Sequence, residues 1–370
     1  MYLSAHPSSY IPSALADMLR KHSPAAEKKG KLQAGQLELI YKQRWFNLWV
    51  PKHCRGLELS LPEGLRLEEA LAWADGSAGW TITLCSGANW FVGFLQPEAT
   101  KKLFKEKKVC FAGSGKPSGI AKANKKGYEV TGQWNYATGA PHATVFTANC
   151  ILEREGEVVK DEAGNPQMRA FWFYKEEVTI HKNWNSSGMI ATASHAFEVK
   201  KLQVPANRCF VLDTAHAVMQ QPVFHFPFLQ FAEATLAVNY AGMAIHFMDL
   251  CQVLFGEKMI HPQGRAIITP GLVQLLEHCV LEINNARGQF YAAVDKAWEA
   301  HAVLTPELLQ AISHTSRSLA AIARRLVETL YPWCGLVAAN PDTEINRVLR
   351  DLHTASQHTL LLFPYEATTP

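Results

Sequence analysis

The sequence predicts a mainly helical α+β protein in three parts. These are an N-terminal helical domain over residues 1–107, a small antiparallel β-barrel or sandwich over 108–212, and a C-terminal four-helix bundle over 213–370. Three observations predict it. Helical periodicity runs to about Lys107. Short β-branched and aromatic runs, broken by Gly, Asn and Pro, replace it from about Val109 to Leu212. A helical period returns from about Pro227. At 370 residues, 48% hydrophobic and 19% charged, the chain has room for two or three cores.

In the first part, Ser13–Lys21 reads as an amphipathic helix. LRLEEALAWADGSAGW places Leu65, Leu67, Ala70, Leu71 and Ala74 at helical spacing and breaks at Gly76-Ser77; LCSGANWFVGFL continues it as an apolar stretch of small residues. In the second part, VCFAGS, YEVTGQWNYATG, ATVFTANCILE, MRAFWFYKE, VTIHKNW and FEVKKLQVP each read as a strand, with turns at Gly156 and Gly164-Asn165-Pro166. In the third, FLQFAEATLAVNYAGMAIHFMDLCQVL reads as one long apolar helix. Thr269-Pro270 and Thr305-Pro306-Glu307 start two more, each with a capping hydroxyl and a proline suited to the first helical position. Asp342-Thr343 caps the last, whose stripe holds Ile345, Leu349, Leu352, Ser356 and Phe363.

A net charge of +3 implies no broad field for nucleic acid or a membrane surface, and the lysine clusters at 28–31 and 101–108 read as solvated faces. Eight scattered cysteines contain no C-x-x-C, so neither a zinc site nor a disulfide framework is indicated. No apolar run reaches the length of a membrane span, and Met1-Tyr2-Leu3 leads into a polar, proline-containing segment rather than a leader. These features predict a reduced, cytoplasmic protein without a metal.

The stretch LRDLHTASQH concentrates chemistry: Arg350, Asp351, His353 and His358 lie within ten residues. On a helix His353 and His358 point roughly 140° apart, whereas Asp351 and His358, two turns apart, share a face. The bland reading is a polar helix surface. Upstream, GSGKPSG offers small residues and free N–H groups that permit close backbone approach, but it does not run from a strand into a helix as a dinucleotide fingerprint does. NYATG puts Tyr136 and Thr138 two apart, on one face of a strand, where ordinary core is the competing reading.

Six segments fall in a telling order: DGSAGW, FAGSGKPSGIA, GQWNYATGAPHA, NWNSSGMIATASHAFEVKKLQVP, FPFLQFAEATLAVNYAGMA and RDLHTASQH. Together with the helical–β–bundle order, over nearly the whole chain, they resemble the acyl-CoA dehydrogenase superfamily. They look most like its branch of flavin-dependent monooxygenases that receive reduced flavin from a separate reductase. The resemblance implies FAD or FMN, held by Ala112, Gly113 and Gly115 through the backbone and by Ser118 at a phosphate. It implies Tyr136 against the flavin ring, Thr138 at its N5 edge, and His353 as a phosphate or subunit contact. His358 becomes the catalytic candidate, with Asp351 fixing its orientation, and Arg350 a structural salt bridge. Trp184, Phe224, Phe226 and Phe228 would line the pocket of a small, flat, aromatic substrate. A homotetramer (or dimer) built on the bundle is implied as well.

Several positions depart from the family pattern. Thr359 stands where a dehydrogenase carries its glutamate base, and Glu233 sits one residue off the alternative base position, where it reads as a solvated or interface glutamate. Ala112-Gly113-Ser114 replaces a TEP triplet, Ala88-Asn89 stands where monooxygenases carry a further histidine, and Ile190 replaces an arginine. Three expectations stay open: a monooxygenase, an acyl-CoA dehydrogenase with an unrecognised base, and a flavin- or ligand-binding member without chemistry.

Overall fold

In the computed structural model, which describes residues 4–260 and 268–362, the break foreseen at Gly76-Ser77 is a corner between two helices. The N-terminal helices are α1 (Ser13–Lys29), α2 (Ala34–Gln43), α3 (Leu61–Ala74), α4 (Gly76–Asn89) and α5 (Pro97–Leu103). Ser60 and Glu63 form a reciprocal capping box at the start of α3. Asp75, in extended conformation, ends α3 and caps α4 by accepting a hydrogen bond from Ala78 N at 2.6 Å.

All six segments read as strands are strands. With two further short strands, the fourth and the eighth, they form one sheet of β1 (Phe111–Asn124), β2 (Gly127–Ala137), β3 (Val145–Arg154), β4 (Glu157–Val158), β5 (Met168–Tyr174), β6 (Thr179–His181), β7 (His195–Val204) and β8 (Cys209–Phe210). The order β6-β7-β2-β1-β3-β5-β8 contains a parallel pair, which corrects the expectation of an all-antiparallel sheet. β1 and β3 run parallel, so the sheet is mixed, and its path ends at β6 and β8 without closing. Alternation along a strand reports its buried face, not its partner's direction, so the sequence could not reveal the parallel pair. The β1–β3 register shifts between Ser114 and Gly119, leaving residues 115–118 outside the ladder.

The C-terminal helices are α6 (Phe228–Ile260), α7 (Pro270–Glu299), α8 (Pro306–Cys334), α9 (Leu336–Ala339) and α10 (Glu344–Ala355). Thr269 and Thr305 cap α7 and α8 as expected, with Pro270 and Pro306 in first position. Thr343 precedes α10, but its hydroxyl turns away from the helix and lies 2.8 Å from the carbonyl oxygens of Val337 and Asn340 instead of capping. α10 ends at Ala355, short of His358; Phe363 lies outside the described residues.

One apolar core runs through the N-terminal helices and the C-terminal helices together, with α6 packed against α3, α8 and α10. A second fills the β layer around Trp134, Phe146, Phe171, Phe173 and Phe197. Each such ring buried from water contributes about 1.5–3 kcal/mol. A buried ion pair ties α3 to α7: Glu69 accepts from Arg287 Nε at 2.7 Å and Nη2 at 2.8 Å. Among the described residues no helix is long and apolar enough to cross a membrane.

Candidate functional site between the sheet, α4 and α10

The site is organised by a loop joining β6 to β7. Met189 N donates to Asp351 Oδ1 at 2.5 Å, and Ser77 Oγ, in the first turn of α4, donates to Asp351 Oδ2 at 3.2 Å. One carboxyl therefore joins the β layer, the N-terminal helices and α10. Burial, reinforced by the charge of Asp75, pushes the pKa of Asp351 up to about 7. Gly188 is required here, because a Cβ would lie 2.0 Å from the carbonyl oxygen of Arg350. Arg350 pairs with Glu27 and donates to Ser187 O at 2.7 Å, the structural role expected of it.

The loop then delivers two buried hydroxyls, Thr192 and Ser194, to a third, Thr138, which follows β2. Thr192 Oγ1 donates to Met189 O at 2.8 Å and lies 2.7 Å from Ser194 Oγ, which lies 2.9 Å from Thr138 Oγ1. The backbone next to Thr138 is fixed too: Gly139 N donates to Thr192 O at 2.9 Å, and Cys85 of α4 reaches Thr138 O.

Tyr136 and Thr138 do not share a strand face, as spacing alone suggested. β2 ends at Ala137, and its register against β7 breaks between Trp134 and Ala137. Tyr136 takes a left-handed φ of 65° and is 72% exposed, whereas Thr138 turns inward and is buried. The Tyr136 ring meets Trp184 edge-on at 6.1 Å; Trp184 is held by Nε1 donating to Met189 O at 2.9 Å and by its N–H donating to His195 Nδ1 at 3.0 Å.

His358 also differs from expectation. It lies beyond α10 and caps a short turn, accepting from Leu360 N through Nδ1. The helix ends three residues earlier, so Asp351 and His358 share no face, and both Asp351 oxygens are committed elsewhere. The His358 ring instead meets Trp80 edge-on at 6.1 Å; Trp80 stacks on Tyr240, whose hydroxyl donates to Ala355 O at 2.7 Å. Surrounding protein atoms lower the pKa of His358 although part of its surface is open to solvent.

The remaining expected residues divide. Gly115 and Ser118 sit on the exposed segment outside the ladder, and a Cβ on Gly115 would meet nothing within 4 Å. Ser118 Oγ donates to Gln133 O at 2.8 Å, so a phosphate gains that hydroxyl only if it rotates. Ala112 and Gly113 belong to the β1–β3 ladder, and Gly113 is small because a Cβ would meet Thr147 Oγ1 at 2.1 Å. His353 faces α8, its nearest charge the carboxylate of Glu328 at 3.9 Å, which opposes a phosphate there. Phe224 is fully buried against Trp90, and Phe226 is buried near Trp298; both belong to the core rather than a pocket. Phe228 lines a pocket of about 260 Å³ with Trp90, Phe94, Leu212 and Asp213, beyond the far end of α4.

Glu233 is not solvated. It is fully buried, accepting from Ser313 and from Arg317 at 2.5 Å. Sequence reasoning missed Trp80, Tyr240, Thr192 and Ser194. The alternation of hydroxyls in Thr192-Ala193-Ser194 was the available signal, but Ala193 takes a left-handed φ, so no strand pattern announces them.

The arrangement fits a flavin. An exposed aromatic edge suits a flat ring, a buried hydroxyl lies beside it, and an open, glycine-containing segment with Lys116 suits phosphates. The family model described as acyl-CoA dehydrogenase, C-terminal domain, matches residues 234–363. The crystal structure of the HsaA monooxygenase from Mycobacterium tuberculosis superposes with a TM-score of 0.86 at 21% identity, covering 96% of this chain and 94% of that one. The chain thus resembles acyl-CoA dehydrogenases in the sequence of its C-terminal part and shares the fold of the monooxygenase over nearly its whole length. The chain is 24% identical to an indole-3-acetate monooxygenase of Acinetobacter baumannii, over 98% of this chain and 92% of the relative. TdsC from Paenibacillus, solved with FMN and indole, shares the fold at a TM-score of 0.73 and 18% identity, covering 94% and 92% of the two chains.

Proposed function

We propose that this chain is the oxygenase component of a two-component flavin-dependent monooxygenase, which takes reduced FMN or FAD from a separate reductase and hydroxylates a small aromatic substrate with molecular oxygen. When bound, reduced flavin supplies the electrons that activate the oxygen. Residues 1–107, 108–212 and 213–370 act as three units around it, in a cytoplasmic homotetramer; exposed Val273, Val280 and Leu281 on α7 offer an apolar face for assembly.

The observation that carries this reading is the donor set: hydroxyls and an imidazole stand where a dehydrogenase needs a free carboxylate. Thr359 has no proton-accepting charge, Glu233 is tied to Arg317 and Ser313, and Asp351 to Met189 and Ser77. Near-full-length similarity to a monooxygenase supports the same reading.

The residues divide the work. Tyr136 and Trp184 cover the flavin ring, and Thr138 meets its N5 edge. The segment holding Gly115 and Ser118 faces the phosphates. Trp80 and Tyr240 form a buried aromatic wall on one side of His358, whose other side stays open for a substrate to cover. His358, held neutral by its lowered pKa, accepts the proton of a phenol or indole-type substrate.

Purified protein supplied with a flavin reductase and a panel of phenols and indoles tests the reading. Oxygen-dependent formation of a hydroxylated product is expected. Bleaching of tightly bound FAD by an acyl-CoA, with no hydroxylation of any panel member, would replace it with the dehydrogenase reading.

A further inference from the structure

The hydroxyl chain beside Thr138 has a direction that its contacts dictate. A hydroxyl has one hydrogen to donate and two lone pairs to accept with. Met189 O is a carbonyl and only accepts, so the Thr192 hydrogen is spent on it at 2.8 Å. Thr192 must then accept in its 2.7 Å contact with Ser194, so the Ser194 hydrogen is spent on Thr192. Ser194 must in turn accept in its 2.9 Å contact with Thr138, so Thr138 donates to Ser194. Only this assignment satisfies all three contacts. Its result is that Thr138, 5% exposed, offers a neighbour lone pairs and no hydrogen. The far end is pinned as well, since Met189 is held by Asp351 and its carbonyl also accepts from Trp184.

Reduced flavin carries a hydrogen on N5, whereas oxidised flavin carries a lone pair there. An acceptor-only hydroxyl satisfies the first and opposes the second. We propose that the Thr138–Ser194–Thr192 chain makes this protein selective for reduced over oxidised flavin, with Ser194 and Thr192 as positioning residues that set the polarity of Thr138. The inference rests on the reading that Thr138 meets the N5 edge. A relay of this kind has a signature that local packing lacks: changing a residue two hydrogen bonds away alters what the terminal hydroxyl can do. Selectivity of this sort also suits a protein that receives its flavin already reduced, since it releases the spent form.

The test is the ratio of dissociation constants for oxidised and reduced FMN and FAD, measured by anaerobic titration without substrate or turnover. The wild type is expected to bind reduced flavin about tenfold or more tighter, the scale of one mismatched hydrogen bond. Ser194→Ala frees the Thr138 hydrogen, and Thr192→Val lets Ser194 reverse and donate to Thr138. Both should bring the ratio towards one, chiefly by tightening the oxidised form. Thr192→Ser keeps the chain and should keep the wild-type ratio. Circular dichroism identifies any variant that fails to fold, and Thr192→Val carries the test if Ser194→Ala does. Wild-type binding without redox preference, or an unchanged ratio in a folded Ser194→Ala or Thr192→Val, overturns the polarity proposal and leaves the flavin reading standing. Failure of the wild type to bind flavin in either state overturns both.

Discussion

Met189 N donates to Asp351 Oδ1 at 2.5 Å, across 162 residues of chain, and this bond holds the β6–β7 loop against α10. Met189 O receives both Trp184 and Thr192, so the peptide groups of one residue orient the aromatic wall and the hydroxyl chain together.

Asp351→Ala removes acceptors for Met189 and Ser77 at once. A buried hydrogen bond with a charged partner is worth about 1.5–3 kcal/mol, and a loss of that size is expected in denaturant unfolding, with weaker flavin binding. The pH dependence has a definite sign. The folded pKa, about 7, lies above the ordinary 3.8, so between those values the folded state holds a proton that the unfolded state has lost. The contribution of Asp351 to stability therefore falls as pH rises from about 4 to about 7, and levels off above. Asp351→Asn cannot titrate, so the difference in stability between it and the wild type should change across that window and be flat at higher pH.

His358 should act as the neutral imidazole. Its pKa is lowered from 6.5, so activity should hold from neutral pH down past that value and decline only below it. His358→Ala should lower substrate hydroxylation about 10²–10⁴-fold, the usual worth of a general base, and abolish that acid limb. Flavin affinity should barely change. Steady-state rates over pH, beside a flavin titration, check both parts.

Glu233→Gln separates the two enzyme readings. Its carboxylate is engaged by Ser313 and Arg317 between α6 and α8, and glutamine retains polar atoms for both. Hydroxylation should stay within about twofold of wild type. A base role would instead cost about 10²-fold or more, so rate measurements on this variant decide the matter.

Tyr136 holds a left-handed φ that glycine adopts without penalty. Tyr136→Gly should leave stability equal or raise it by about 1 kcal/mol, because the strain of a side chain in that region is relieved. It should weaken flavin binding severalfold by removing an exposed aromatic face. Thermal unfolding and flavin titration on one sample read the two opposite effects.

Much of this fold is legible in the sequence because period and capping are local. Thr269-Pro270 and Thr305-Pro306 start helices as their chemistry requires, and six apolar runs became six strands. The parallel β1–β3 pair was not legible, since alternation is blind to a partner's direction. For the proposed site, motif order names Gly115, Ser118, Tyr136, Thr138, Trp184 and His358. It does not give their geometry: a bulge turned Tyr136 out and Thr138 in, and a helix end at Ala355 separated His358 from Asp351. Phe224 and Phe226 read as pocket residues because composition cannot tell a lining ring from a core ring. The commitment of Asp351 to Met189 and Ser77 depends on three distant segments meeting, which no local pattern encodes.

The central claim is that this protein inserts oxygen into an aromatic substrate, and labelled dioxygen tests it most directly. The protein, a flavin reductase and a panel of phenols and indoles are incubated under isotopically labelled O2, and products are read by mass spectrometry. One labelled oxygen atom is expected in the hydroxylated product and the other in water. Hydroxylated product whose new oxygen comes from solvent, or no product from any panel member while reduced flavin binds normally, would contradict it.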